Sequence, residues 1–328
     1  MTDMRNIDVL GLGTAAMDVV LNCEDLPKED GFAFVHRESH VPGGSCANVM
    51  AALSGLGTRA GLVAKMGDDH YGRRFVEDLI RSSVDARYVL TRKGGASLHT
   101  FITVGKNGKK AIFVHMGDSL LSLEESEVHA RMLDGVKTFY TDLFPPAPAL
   151  KLARASRERG IPVVFDLEVA PDFMSLCGTT REQLEEMISL SDIFVSFEDG
   201  LLNLSGQADP KSAARAVYLR HRPAQGIIVT LGDKGALWVR DQEVVLSPGY
   251  RVDAVDSTGA GDAFAAGLIH AFFHKKKPEQ DAMAFACACA AVKCTQPGPR
   301  LKADEAAVSR FMDEKPASQS PASIERGL

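Results

Sequence analysis

Short apolar segments recur along this chain, each separated from the next by a stretch of helix-forming residues. That alternation constrains the fold more than any other feature. Ile7–Gly11, Ala60–Met66, Val136–Thr141, Ile161–Asp166, Ile193–Ser196 and Gly226–Leu231 are runs with little or no polar face. Between them Ser45–Leu56, His70–Arg81, Ala147–Arg159, Arg181–Leu190 and Lys211–Arg220 carry helical patterning. Strands apolar on both sides must be covered on both sides, and connections long enough for a helix make neighbouring strands parallel. The expectation is an α/β fold, a mainly parallel sheet with helices on both faces. Ligand sites in such sheets lie at the carboxyl ends of the strands. A chain of 328 residues is long enough to bury a core of that kind.

Two segments break the rhythm. Phe32–Val41 alternates in strand fashion before any helix, and SLHTFITVGKNGKKAIFVH over 97–115 reads as two alternating runs around Lys106-Asn107-Gly108-Lys109, a hairpin. Both leave the main sheet, and together they predict a small β-lid. The expected organisation is one α/β domain over 1–312 with lid insertions at about 31–42 and 96–116. A polar, Pro/Ser-rich tail over 313–328 is expected to be disordered.

The net charge of −6 and the lack of a basic stripe with interleaved aromatics argue against a nucleic-acid partner. Lys275-Lys276-Lys277 follows an apolar helix, where it suits the negative end of the dipole. No apolar run reaches the roughly 18 residues that a membrane span needs. The cysteines form no C-x-x-C pair and have no histidine at zinc spacing, so they read as small buried hydrophobes in a reducing compartment. The short apolar stretch at the N-terminus contains Asp18 and does not read as a signal peptide. A cytoplasmic enzyme is expected.

The chemistry concentrates in glycine turns. DSTGAGD, residues 256–262, lies between Tyr250–Val255, which reads as a strand end, and the helical Ala263–Phe273. A turn feeding a helix N-terminus exposes unpaired N–H groups at the positive end of the dipole, a natural anion seat. Gly259 and Gly261 let a ligand approach the backbone. Asp262 is an acid beside an anion, which makes sense if it has a proton to take. The dipole should also keep it ionised at neutral pH.

Gly11–Ala16 fits the dinucleotide pattern G-x-G-x-x-A, but strand-like Met17–Leu21 follows where that fingerprint needs a helix. The glycines instead break a strand and leave Asp18 near a sheet end, or as a turn acid. Pro42–Asn48 opens a helix with Ser45 as its natural cap, and the Asn48 amide falls on the first turn, able to donate to and accept from a polyol hydroxyl. Gly67-Asp68-Asp69 reads as a helix cap, and Thr230–Ala236 as a hairpin turn. Walker A, H-E-x-x-H and G-x-S-x-G patterns are missing from the sequence.

Taken in order, these motifs resemble the ribokinase-like (PfkB) carbohydrate kinase family, over about residues 7–312. DSTGAGDAFAAGLI at 256–269 is similar to the family's second signature and VPGGSCANVMAAL at 41–53 to its first. The resemblance implies an ATP-dependent sugar kinase that moves the γ-phosphoryl group of ATP to a primary hydroxyl of a small carbohydrate. It implies Asp262 as general base, with the N–H groups of Gly259, Ala260 and Gly261 stabilising the transferring phosphoryl. Asp18, Gly43, Gly44 and Asn48 would hold the sugar. Thr230, Gly232 and Gly235 would border the nucleotide, with Cys287 and Ala291 on the adenine wall.

Mg²⁺ is expected with ATP. Where many members carry Asn-x-x-Glu, this chain has Ser196-Phe197-Glu198-Asp199-Gly200, so Glu198 is either a metal-linked carboxylate acting through water or a helix-start acid. Asp256 and the loop near Gly298 fall where some relatives hold a monovalent cation such as K⁺. The Ser-Phe-Glu-Asp variant and Val292–Arg300 resemble the sulfofructose kinase and ketohexokinase end of the family. A nucleoside kinase is the alternative, with Phe32, Phe34 and Phe101 as a slot for a base. A non-catalytic sugar-binding relative would have lost the base or the glycines, and both are present. Unpaired lid edges favour a homodimer through the lid.

Overall fold

The computed structural model describes residues 6–107, 109–315 and 317, with the backbone of 324–326. In chain order the strands are β1 (Val9–Leu12), β2 (Ala16–Cys23), β3 (Val35–Gly43), β4 (Ala60–Gly67), β5 (Asp85–Arg92), β6 (His99–Val104), β7 (Lys110–His115), β8 (Thr138–Thr141), β9 (Val163–Leu167), β10 (Ile193–Phe197), β11 (Gly226–Thr230), β12 (Gly235–Arg240), β13 (Glu243–Pro248) and β14 (Ile324–Arg326). The helices are α1 (Ser45–Gly55), α2 (His70–Arg81), α3 (Pro146–Glu158), α4 (Pro171–Leu176), α5 (Arg181–Leu190), α6 (Glu198–Ser205), α7 (Pro210–His221), α8 (Ala260–Leu268), α9 (Glu279–Cys294) and α10 (Glu305–Glu314).

The main sheet runs β14-β13-β12-β11-β10-β9-β8-β1-β4-β5. It is parallel from β5 to β11, and antiparallel where β12, β13 and β14 are added at one edge. Its side chains alternate between two cores, as the two-residue period of a strand requires. Val9, Tyr140, Val164 and Val195 pack with α1, α8 and α9 on one face. Leu10, Phe139, Phe165 and Phe194 pack with α3, α5 and α7 on the other. Burial on both sides is why these strands read as continuous apolar runs.

A second sheet has the order β3-β2-β6-β7. The predicted hairpin is its β6–β7 pair, and Gly108 at the expected turn lies outside the described residues. The small sheet also takes in β2, which the insertions at 31–42 and 96–116 had left out. After Gly13 the chain leaves the main sheet, and β2 pairs with β3 and β6 instead.

Other expectations are corrected. Tyr250–Val255 forms no strand, since the strand ends at Pro248 and the segment crosses to α8 as coil. Most of the tail expected to be disordered over 313–328 lies outside the described residues. Asp313 and Glu314 close α10, and the 324–326 backbone pairs with β13. β5 at the sheet edge was not foreseen, because its pattern Asp85-Ala86-Arg87-Tyr88 is half polar. Among the described residues no helix is long and apolar enough to cross a membrane.

Candidate active site

The mouth of α8 is shaped by Gly259, which caps the helix at φ +78°. A Cβ there would lie 1.8 Å from the Pro299 carbonyl oxygen, so only glycine fits. Ala260 N–H donates to the Ser257 carbonyl at 3.1 Å, closing a turn. This is one of the three N–H groups expected to meet the phosphoryl. The turn engages it, leaving the N–H groups of Gly259, Gly261 and Asp262 without partners among the described residues. Asp262, on the first turn, is buried.

The mouth of α1 faces Asp262. Gly44 adopts φ +90°, and a Cβ would strike the Thr14 carbonyl at 2.7 Å. Ser45 is not the cap that its type suggests, because Gly44 holds that position and makes no side-chain bond. Asp142, just after β8, supplies the cap from across the sheet. Its carboxylate accepts from Thr14 N–H at 2.9 Å, Thr14 Oγ1 at 2.6 Å and Cys46 N–H at 3.2 Å. Asn48 Nδ2 donates to Asp262 Oδ2 at 2.8 Å. Its Oδ1 accepts from Arg300 Nε at 3.3 Å, which fixes the amide with its N–H₂ toward Asp262. Arg300 is itself anchored to Asp78 and to Ser82 Oγ. Asp18 accepts from Thr100 Oγ1 at 2.6 Å, and its other oxygen lies where a side chain on Gly43 would stand. The expected residues Asp18, Gly43, Gly44, Asn48 and Asp262 are thus carried by adjoining elements.

Three acids the sequence reading missed complete this floor. Asp142, Asp166 and Glu168 lie at or just beyond the carboxyl ends of β8 and β9, two residues on from Tyr140 or Val164 or from each other. The period of two puts them on the α1/α8 face, below Asp262. Burial, above all, raises Asp262 to about 6, against hydrogen bonds from Asn48 and Glu168 that lower it. A group at about 6 is still mainly ionised at neutrality, as expected of an acid at a helix N-terminus, although burial works against the dipole. Burial and the Asp262 charge raise Asp166 to about 8, and burial with the Asp166 charge raises Glu168 well above the usual carboxyl range. Glu168 Oε1 is buried without a hydrogen-bond donor. The signal for these acids was present in TFYTD and VVFDLE, a carboxylate ending an apolar strand.

A cavity of about 1030 Å³ opens beside the α8 mouth. All five residues expected around the nucleotide line it: Thr230, Gly232, Gly235, Cys287 and Ala291. Ala260 and Gly261 line it as well, so the cavity ends on the anion seat. Glu198 opens α6, half-buried, directly after Phe197, which pairs with Thr230 of the cavity wall. It is a helix-start acid, one residue beyond a strand that pairs with the strand ending at the cavity wall. Among the described residues no group of three or more His, Cys, Asp or Glu is arranged to hold a metal. A second cavity, of about 670 Å³ between Lys137 and Pro162, lies at the opposite, amino end of the strands.

Asp256 is bound by its own turn. It accepts from Thr258 N–H at 3.0 Å and from Gly298 N–H at 3.1 Å. Beside it the wholly buried Lys293 donates from Nζ to the Asp256 carbonyl at 2.6 Å. Asp256 and the Gly298 loop are where the resemblance implies a monovalent cation such as K⁺, and here the Asp256 carbonyl oxygen accepts from an ammonium.

A family model described as pfkB family carbohydrate kinase matches residues 5–306. The chain is 28% identical over 312 residues to the ATP-dependent ribose-1-phosphate kinase of Halopiger xanaduensis, covering 94% of this chain and 99% of that protein. It is 26% identical to fructokinase-2 of Zea mays, over 88% of this chain and 89% of that one. The structure of Arabidopsis thaliana ribokinase complexed with ribose and ATP superposes with a TM-score of 0.79 at 20% identity, over 94% of this chain and 99% of that one. The last likeness is one of fold.

Proposed function

This chain belongs to the pfkB family of carbohydrate kinases, and from that premise we propose how its residues perform ATP-dependent phosphorylation of a sugar. ATP lies in the 1030 Å³ cavity, adenine against Cys287 and Ala291 and phosphates toward the mouth of α8. The acceptor lies between Asp18, the Gly43–Gly44 turn and Asn48, with its primary hydroxyl at Asp262. As the hydroxyl oxygen attacks the γ-phosphorus, Asp262 takes its proton. The bond to the bridging oxygen breaks and ADP departs. The N–H groups of Gly259 and Gly261 hold the charge that spreads over the phosphoryl oxygens. The observation that carries this reading is Asp262, oriented by Asn48 at 2.8 Å, standing where the nucleotide cavity meets free helix N–H groups.

Mg²⁺ bound with ATP neutralises phosphate charge, and such ions keep most of their waters and use one or two carboxylates. In this reading Glu198 would reach it through water. The small sheet closes over the acceptor as a lid. The cysteines are unpaired, in keeping with a cytoplasmic enzyme.

The floor also bears on the acceptor. The charged groups weighing most on Asp166 and Glu168 are other carboxylates, with no lysine or arginine among them. Asp166, raised to about 8, and Glu168, raised well above the usual carboxyl range, are held mainly protonated at neutral pH, so this floor meets the acceptor with hydrogen-bonding groups. Glu168 Oε1, buried without a donor, would be satisfied by a sugar hydroxyl. ADP release with Mg-ATP across neutral ketoses and aldoses, sugar acids, a sulfosugar, sugar phosphates and nucleosides tests this. Turnover confined to sugars is expected. A nucleoside as best substrate would overturn the acceptor assignment, and release from none would count against the kinase reading.

The nucleoside alternative would need Phe32, Phe34 and Phe101 to meet around one base. Phe32 and Phe34 pair edge-to-face at 6.2 Å, while Phe101 packs on His99. Phe32 is 86% exposed and Phe34 77% exposed, and Ile112, Phe113 and Val114 of β7 are exposed too. With β3 and β7 as open edges, this sheet is the surface through which we place a homodimer. Sedimentation should give a dimer at micromolar concentration. A monomer there, or a dimer that survives Phe113→Glu, would count against that surface.

A further inference from the structure

A monovalent cation beside a phosphate-binding turn needs a cradle of backbone carbonyl oxygens with room for the ion. Such a cradle exists here, between the turn at 255–259 and the end of α9, and a side chain fills it. Val255 and Asp256 N–H groups donate to the Cys294 carbonyl at 2.8 and 3.1 Å. Gly298 N–H donates to the Asp256 carboxylate at 3.1 Å. The Pro299 carbonyl closes against Gly259. Into the middle of these contacts Lys293, on the last turn of α9, places its ammonium, at 2.6 Å from the Asp256 carbonyl and 3.5 Å from that of Gln296. The residue is 0% exposed, so water does not hold its charge. A buried ammonium persists only where fixed dipoles or anions replace its hydration. Here two carbonyls, the C-terminal dipole of α9 and the nearby Asp256 carboxylate do so. Potassium would have to share those oxygens with a fixed like charge, so the residues present do not fit it.

We propose that Lys293 is a built-in cation that takes the place of a monovalent metal ion. It holds the 255–259 turn against the 294–299 loop and thereby sets the aim of the Gly259 and Gly261 N–H groups. Lys293 is a positioning residue in this scheme, because it acts through the turn. A second lysine, Lys110 of β7, approaches the same turn from the small sheet, 3.8 Å from the Asp256 carboxylate. It is 45% exposed and sits at the rim of the cradle.

Exchange of KCl for NaCl or tetramethylammonium chloride at constant ionic strength tests the idea, with kinase rate and thermal midpoint as readouts. The rate readout rests on the kinase reading, and the midpoint does not. The wild type should show the same rate and midpoint in all three salts. Lys293→Ala opens the cradle. Its kcat should fall more than its KM for ATP, and KCl or ammonium chloride should restore the rate by about tenfold, the scale of an ordinary binding coupling. The same ions, and not tetramethylammonium, should raise its midpoint. Lys293→Met fills the space without the charge and should be slow in every salt. Potassium activation of the wild type would overturn the proposal. A folded Lys293→Ala protein indifferent to the salt, or a fully active Lys293→Met protein, would do the same. If Lys293→Ala folds only in KCl or ammonium chloride, the proposal stands, and if it folds in no salt the Lys293→Met rate decides.

Discussion

Replacing Asp262 with alanine or asparagine is expected to lower kcat by at least about 10²–10⁴-fold, the usual contribution of a general base. Binding of ATP should be retained, because the nucleotide cavity does not depend on that side chain. The wild-type pH profile provides a second signature. Asp262 must be ionised to accept a proton, and burial raises it to about 6. Activity should therefore fall as pH drops through about 6, well above the range of an exposed aspartate. The sign for stability is the reverse. A carboxyl group raised in the folded state favours folding at low pH, and that contribution is lost as pH rises through its folded value. At pH 8 the ionised, buried Asp262 is a burden on the fold, so the Asp262→Asn protein should melt no lower than the wild type. A mutant that is inactive because it has unfolded would show the opposite, and turnover surviving in both variants would place the base elsewhere.

Gly259→Ala is expected to cost at least about a hundredfold in kcat, the scale of a lost backbone donor in an anion hole. Two causes add. Alanine at φ +78° is strained, by roughly 1–2 kcal/mol. Its Cβ would also lie 1.8 Å from the Pro299 carbonyl oxygen, backbone that cannot rotate aside. The 297–300 loop must move, and Arg300, which orients Asn48, moves with it. Gly261→Ala is the control. A Cβ there meets nothing within 4 Å and faces the nucleotide cavity. It should weaken ATP binding and leave the thermal midpoint unchanged, whereas Gly259→Ala should lower both rate and midpoint. Equal behaviour of the two variants would show that the loop behind Gly259 is softer than its packing suggests.

The main sheet was legible in the sequence because its central strands are apolar on both faces, as in Gly226-Ile227-Ile228-Val229. The mouths of α1 and α8 were legible because glycine has few other uses just before a helix. What was not legible depends on pairing across the sheet. Nothing near Thr14 in the sequence points to Asp142 as the cap of α1, 96 residues beyond the Cys46 N–H it accepts from. Ser45 satisfied every local rule for that role and did not take it. Asp166 and Glu168 become site residues only once parallel pairing sets β8 beside β9. Lys293 reads as a helix-end lysine suited to the dipole, and only the return of the Asp256 turn gives its ammonium two carbonyls to hold. Tyr250–Val255 misled for the converse reason, since its residues suit a strand but no neighbouring strand is there to pair with them.

The small sheet has a consequence for how relatives of this chain can exchange parts. Its strands come from separate stretches, and two of them are continuous with the catalytic framework. The end of β1 passes through Gly13, Thr14 and Ala15 into β2, and β3 passes through Gly44 into α1. Asp18 and Asn48, which we propose hold the acceptor, each follow one of those joints, and Asp142 binds the joints to each other through Thr14 and Cys46. The sheet is therefore not a cassette. Recombination that moved 31–42 and 96–116 between relatives would sever β2 from its partners and leave Asp18 aimed by a foreign strand.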